Sequence, residues 1–240
     1  MADPIHSVVD PFLVDIDSAL GARYSAVLYG SAARGDFVAG RSDLNLLLVL
    51  EDVGSPVLRS LAPAFSAWRR STQEPPLLLS QAEWAGAGDV FPIEITDMRS
   101  AYRVLRGADP LSSITVAPAD LRRALEREFR GKLLRLRQGY VALATDEAGL
   151  GALAAESTGT MLVLYRALLA LLGRDAPRDP DALAVAAGEA AGLQGDGLGG
   201  IVRHRGEKAW RCKPAEFEAY VDAVARTADF VDHLKLGDSR

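Results

Sequence analysis

The chain is poor in the residues that build redox, disulfide and histidine-centred sites. Its one cysteine, Cys212, excludes an intrachain disulfide and fits a reducing compartment. Its three histidines, His6, His204 and His233, are scattered along the chain, so neither a histidine metal site nor a histidine relay is expected. The first 20 residues carry four aspartates, and no basic residue precedes Arg23, so the basic start of a signal peptide is missing. The longest strongly apolar run, "MLVLYRALLALLG", is too short to span a bilayer and contains Arg166. A cytoplasmic protein with no membrane partner is the expectation. No repeat period appears. No whole domain is basic: residues 1–117 hold 9 Lys and Arg against 14 Asp and Glu, and residues 118–240 hold 18 against 18. Broad nucleic-acid binding is therefore not expected.

What is present is an ordinary globular composition over 240 residues, 49% hydrophobic and 25% charged, enough for one large or two small domains. The first half alternates between periods. Apolar residues at helical spacing from Ile5 to Leu20 read as an amphipathic helix. "YSAVLYG" and "LNLLLVL" are compact apolar runs bounded by Gly, Ser and Asp, and read as strands. "SPVLRSLAPAFSAWRR" reads as a helix with Leu58, Leu61, Phe65 and Trp68 on one face. "PPLLLS", "FPIEITDM" and "YRVLRG" read as further strands, and "QAEWAGA" as a helical turn. The second half offers only helices. Four are expected, starting at "PADLRRALEREF", "GALAAESTGTML", "DPDALAVAAGEAAG" and "KPAEFEAYVDAV". The predicted organisation is an α+β or α/β domain with a mixed sheet over residues 1–115, followed by a helical bundle over residues 116–240.

Chemistry concentrates in "LYGSAARGDFVAGRSDLNLLLVL". A strand that ends in Gly30-Ser31, followed by small residues able to start a helix, exposes backbone N–H groups and a hydroxyl to an anion. Ser31 as a plain helix cap is the competing reading. In a strand, residues two apart share a face, so Asp43 and Asn45 offer oxygen ligands from one side, which suits Mg²⁺. The competing reading makes them polar residues of a turn.

Together, strand, Gly-Ser, a loop of about a dozen residues and Asp-x-Asn resemble the nucleotidyltransferase fold of the DNA polymerase β superfamily, in particular small bacterial members of the aminoglycoside adenylyltransferase and minimal nucleotidyltransferase type. The resemblance is carried by residues 24–50, extends to about Arg106, and is architectural over the helical half. It implies one or two Mg²⁺ ions held by three carboxylates, ATP as nucleotide, and transfer of AMP to a hydroxyl of a small molecule or protein. It places Gly30 and Ser31 at the β- and γ-phosphates and makes Asp43 a metal ligand and catalytic group. Asn45 stands where the family has its second carboxylate, so weakened activity is expected. A third carboxylate is expected from a neighbouring strand. In "FPIEITDM" read as a strand, Ile93, Ile95 and Asp97 share one face and Glu94 the other, which makes Glu94 the expected third ligand or general base and Asp97 its reserve. Arg34, after the Gly-Ser loop, and Lys132, beside the apolar stripe of its helix, are the expected contacts of the triphosphate, with Lys208 or Arg211 as further candidates. Asn45 keeps a second reading open, a catalytically impaired nucleotide-binding or antitoxin-like protein, and a third is a structural module with no ligand. The acceptor and the oligomeric state are not legible.

Overall fold

The computed structural model describes residues 5–35, 37, 43–71, 73–193, 198–207 and 209–236. The chain divides into two compact units, Met1–Thr115 and Val116–Arg240.

The first unit opens with a π-helical turn, Ile5–Val9, that runs into α1 (Asp10–Leu20). Strand β1 (Tyr24–Tyr29) follows, then a four-residue helix α2 (Ser31–Arg34) and strand β2 (Asn45–Leu50). Helix α3 (Ser55–Trp68) leads to β3 (Leu77–Ser80), the short helices α4 (Gln81–Ala85) and α5 (Ala87–Val90), helix α6 (Pro92–Ser100) and β4 (Tyr102–Arg106). The sheet order is β3-β2-β1-β4. β1 runs antiparallel to β2 and β4, and β2 runs parallel to β3, so the sheet is mixed.

Alternation decides what each face carries. Ala26 and Leu28 of β1 and Leu46, Leu48 and Leu50 of β2 pack with Phe12, Leu13 and Ile16 of α1 and Leu61, Ala64 and Trp68 of α3 in one buried cluster. Phe12 meets Phe65 edge-on at 5.4 Å and Trp68 at 4.8 Å. Leu58, expected on the same helix face, is 43% exposed. Val27, Leu47 and Val49 point to the opposite face and are buried as well. Burial on both faces is why β2 reads as an unbroken apolar run rather than as an alternating one.

The segment "FPIEITDM" is a helix, not the expected strand. Pro92 sits at the first helical position, where its missing N–H costs nothing, and Thr96 Oγ1 donates back to the Pro92 carbonyl at 2.6 Å. Ile93, Ile95 and Met98 are all buried. A short apolar segment bounded by proline fits either element, and only the packing chose between them. The correction matters because Glu94 and Asp97, placed on opposite faces by a strand, share one face when three residues apart on a helix.

The second unit contains α7 (Pro118–Leu143), α8 (Glu147–Leu171), α9 (Pro180–Ala190), a short α10 (Gly199–Arg203) and α11 (Pro214–His233). α8 starts earlier than the apolar pattern indicates, because Asp146 caps it, accepting from the N–H groups of Ala148 and Gly149 at 3.1 Å each. The expected stripe of α7 is buried at Leu121, Leu125, Phe129, Leu133 and Leu136. α8 buries residues around most of its circumference and is the centre of the bundle. Among the described residues no helix is long and apolar enough to cross a membrane.

Two arginines of α7 tie it to α11. Arg130 Nη2 meets Asp232 Oδ2 at 2.7 Å, so it joins the helices instead of lying on a merely solvated face. Arg122 Nη1 donates to the carbonyls of Val231 and Asp232, at 3.2 and 3.1 Å, in the last turn of α11. The Val231 carbonyl also accepts the N–H of Leu234, the C-cap residue, at 3.3 Å, and the Asp232 carbonyl lies in the last turn, where the helix ladder runs out of donors. Arg122→Met is expected to lower the unfolding free energy by about 1–2 kcal/mol, chiefly through the donor lost to the Asp232 carbonyl. A lower urea midpoint at unchanged slope checks it, and an unmoved midpoint shows that water replaces the guanidinium.

Candidate functional site

Strand β1 ends at Tyr29, and the chain then turns at Gly30, with φ 76° and ψ −146°, into α2. The Gly30 N–H is already used, donating to the Ala101 carbonyl at 3.1 Å, and its own carbonyl accepts from Arg34 N–H at 3.0 Å. An anion at this corner would therefore meet Ser31 and the N–H groups that follow it, not that of Gly30. Ser31 is half-buried and makes no capping hydrogen bond as the N-cap, since Gly30 holds that position. Arg34 closes α2 and is half-buried.

Asn45 opens β2 directly opposite Tyr29. Its Nδ2 lies 3.0 Å from the place a Cβ on Gly30 would take. The absent side chain of Gly30 is thus the space that the Asn45 amide approaches, and the two arms of the motif, 15 positions apart in sequence, meet at one corner of the sheet. Asp43 is exposed and stands two residues earlier, with Leu44 buried between them in the α1–α3 core. Leu44 N–H donates to Gln73 Oε1 at 2.7 Å.

The carboxylates of α6 act on the same corner. The Tyr29 phenol is pushed up to about 12, first by burial, then by the negative charge of Asp97, then by that of Glu94. In this effect on Tyr29 the charge of Asp97 weighs more than that of Glu94. Neither carboxylate lies in the sheet. The described strands carry no acidic residue at all: β1 is YSAVLY, β2 NLLLVL, β3 LLLS and β4 YRVLR. The expected carboxylate from a neighbouring strand is not there, and the strand beside β2 presents leucines in its place. Among the described residues no group of three or more His, Cys, Asp and Glu side chains is arranged to hold a metal ion.

The other expected phosphate contacts belong to the second unit. Lys132 Nζ donates to Thr160 Oγ1 of α8 at 3.2 Å. Arg211 Nε meets Glu147 Oε2 at 3.2 Å, and Lys208 lies outside the described residues. Cys212 is buried, its thiol pushed up to about 11 first by burial and then by Glu216 and Glu147, so it stays protonated and unreactive. Sequence reasoning missed Tyr29 and Gln73. Tyr29 comes beside Asn45 through the antiparallel register of β1 and β2, and nothing in the sequence signals a contact from Gln73 to Leu44.

No protein-family model matches the chain, and no curated protein matches it. Among solved structures the chain is similar to the spectinomycin adenyltransferase AAD(9) from Enterococcus faecialis, crystallised with ATP and spectinomycin, at 13% sequence identity and a TM-score of 0.59, with 95% of this chain and 99% of that one covered. At this identity the similarity is one of architecture: a mixed four-stranded sheet with its helices, followed by a helical region, gives this chain the fold of a nucleotidyltransferase.

Proposed function

We propose that the chain is a nucleotidyltransferase-like protein that binds ATP with Mg²⁺ at the β1–α2–β2 corner and transfers AMP to a hydroxyl of a small molecule or protein. The observation that carries the reading is the Asn45 amide set against Gly30, directly beside Ser31 and two residues from Asp43. The similar structure holds ATP and spectinomycin, which supports a nucleotide and a small hydroxylated acceptor as substrates.

The donor set fits one Mg²⁺. Asp43 and Asn45 offer hard oxygens, and Mg²⁺ is commonly held by one or two carboxylates with phosphate oxygens and water completing its shell. Asp43 and Asn45 would hold such an ion, which would supply charge neutralisation for the triphosphate and the leaving pyrophosphate. A second ion has no ligand set of its own in the described strands. In the proposed reaction Ser31 and the opening turn of α2 hold the β- and γ-phosphates, with Arg34 contributing positive charge. The acceptor oxygen forms its bond to the α-phosphorus, the bond from that phosphorus to the pyrophosphate oxygen breaks, and the acceptor proton passes to a carboxylate of α6, Asp97 or Glu94.

Titration calorimetry with ATP, with and without Mg²⁺, tests the reading. Tighter binding with Mg²⁺ is expected, because Asp43 and the triphosphate otherwise repel each other. No binding in either condition ends it. Ser31→Ala is expected to weaken ATP binding by up to about tenfold, the net value of one hydroxyl donor, at an unchanged melting temperature. An unchanged affinity would make Ser31 only the start of a helix.

A second reading, nucleotide occupancy without turnover in an antitoxin-like or regulatory protein, draws on the amide at position 45 and on the lack of a carboxylate in the described strands. Pyrophosphate release across a panel of hydroxylated acceptors separates the two.

A further inference from the structure

We propose that Gln73 is a positioning residue for Asp43: its amide oxygen fixes the backbone ahead of β2 so that the Asp43 carboxylate is set to serve a Mg²⁺-bound triphosphate. The inference rests on the nucleotide reading above.

Asp43 and Leu44 lie just ahead of β2, outside its ladder. On one side the β2–β3 pairing runs only from Leu47↔Leu77 to Leu50↔Ser80. Carried further toward Asp43, the parallel register would bring Pro76 and then Pro75 alongside, and proline has no N–H to give a ladder. The chain that precedes β3 compensates with a side chain. Gln73 Oε1 accepts the Leu44 N–H at 2.7 Å, across 29 positions of sequence.

Gln73 is itself held from the core. Its N–H donates to Ser71 Oγ at 3.4 Å, and Ser71 Oγ donates to the Trp68 carbonyl at 2.7 Å. The carbonyl of Glu74, the next residue, accepts from Trp68 Nε1 at 2.8 Å. Trp68 is buried against Phe12. A connected path thus runs from the core, through Trp68, Ser71, Gln73 and Glu74, to the peptide group that joins Asp43 to Leu44. An exposed carboxylate at an unladdered strand start is a usable ligand only when its backbone is fixed. Groups that hydrogen-bond a metal ligand's side chain are typically worth about 10- to 100-fold in metal affinity, and Gln73, which holds the backbone one residue after Asp43, is expected at the lower end.

The test compares the full chain with Gln73→Ala and Gln73→Glu, measuring ATP affinity with Mg²⁺ and in EDTA, together with melting temperature. Gln73→Ala is expected to reduce the gain in ATP affinity conferred by Mg²⁺ about tenfold, with the affinity in EDTA unchanged. Gln73→Glu keeps an acceptor oxygen at the same reach and is expected to restore the gain. If Gln73→Ala does not fold, Gln73→Leu takes its place, keeping most of the volume without the oxygen. A variant that retains the full Mg²⁺ gain, whatever its melting temperature, overturns the inference. So does an equal loss of affinity with and without Mg²⁺, which marks general loosening, or a failure of Gln73→Glu to restore the gain. A parent protein whose ATP binding ignores Mg²⁺ overturns the nucleotide reading and this inference with it. A Mg²⁺-dependent parent beside an unaffected Gln73→Ala overturns the inference alone.

Discussion

Asn45→Asp is expected to tighten Mg²⁺ binding about tenfold or more and to raise pyrophosphate release with any accepted hydroxyl. The amide and the carboxylate have nearly the same volume, and position 45 is fixed by its register opposite Tyr29, so the substitution changes charge and hardly changes shape. A carboxylate here adds a second full negative charge two positions from Asp43, and a tenfold gain corresponds to about 1.4 kcal/mol. The same charge joins those of Asp97 and Glu94, which add to the burial that already pushes the Tyr29 phenol up. Without metal the variant is therefore expected to melt below the parent through repulsion among clustered carboxylates, and with Mg²⁺ to recover. Melting curves with and without Mg²⁺, with calorimetry of the ion alone, read both effects. If Mg²⁺ affinity does not rise, the side chain at position 45 does not serve a metal, and the family alignment of Asp43-x-Asn45 fails at its second member.

Gly30→Ala is expected to lose most ATP affinity and about 1–3 kcal/mol of stability, the ordinary cost of forcing a side chain into a backbone region that glycine alone occupies freely. Two causes act together. The backbone sits at φ 76° and ψ −146°, and the new Cβ would stand 3.0 Å from Asn45 Nδ2, so the amide must give way. Gly21 supplies a matched control. It has nearly the same conformation, φ 64° and ψ −144°, and a Cβ there would meet nothing within 4 Å. Gly21→Ala is expected to cost comparable stability and to leave ATP affinity alone. Equal affinities in the two variants would make Gly30 a residue of the turn and nothing more.

The loss of an expected carboxylate from the sheet and its replacement by a helix face bear on mechanism. In "FPIEITDM" the sequence supports two arrangements of the same two acids. Strand geometry parts Glu94 from Asp97, and helix geometry puts them together. Pro92 and the burial of Ile93, Ile95 and Met98 select the helix. Both acids then act on Tyr29, at the corner where Asn45 meets Gly30. In the proposed reaction the acceptor proton would go to one of these two acids, since the described strands carry no carboxylate.

Local chemistry determined the segments whose signal is contained within one element. The apolar runs of β1 and β2, the glycine between β1 and α2, and the change to helical period beyond residue 116 are all of this kind, because periodicity and turn preference act over a few residues. Only the tertiary structure decided the rest. It decided that α6 is a helix, because a short apolar segment takes its element from what it packs against. It laid the Asn45 amide over Gly30, because an antiparallel register joins positions that the sequence holds apart. It also brought Gln73 to the backbone of Leu44, because a hydrogen bond across 29 residues leaves no periodic trace and forms only once the sheet and the core beneath it have set both ends in place.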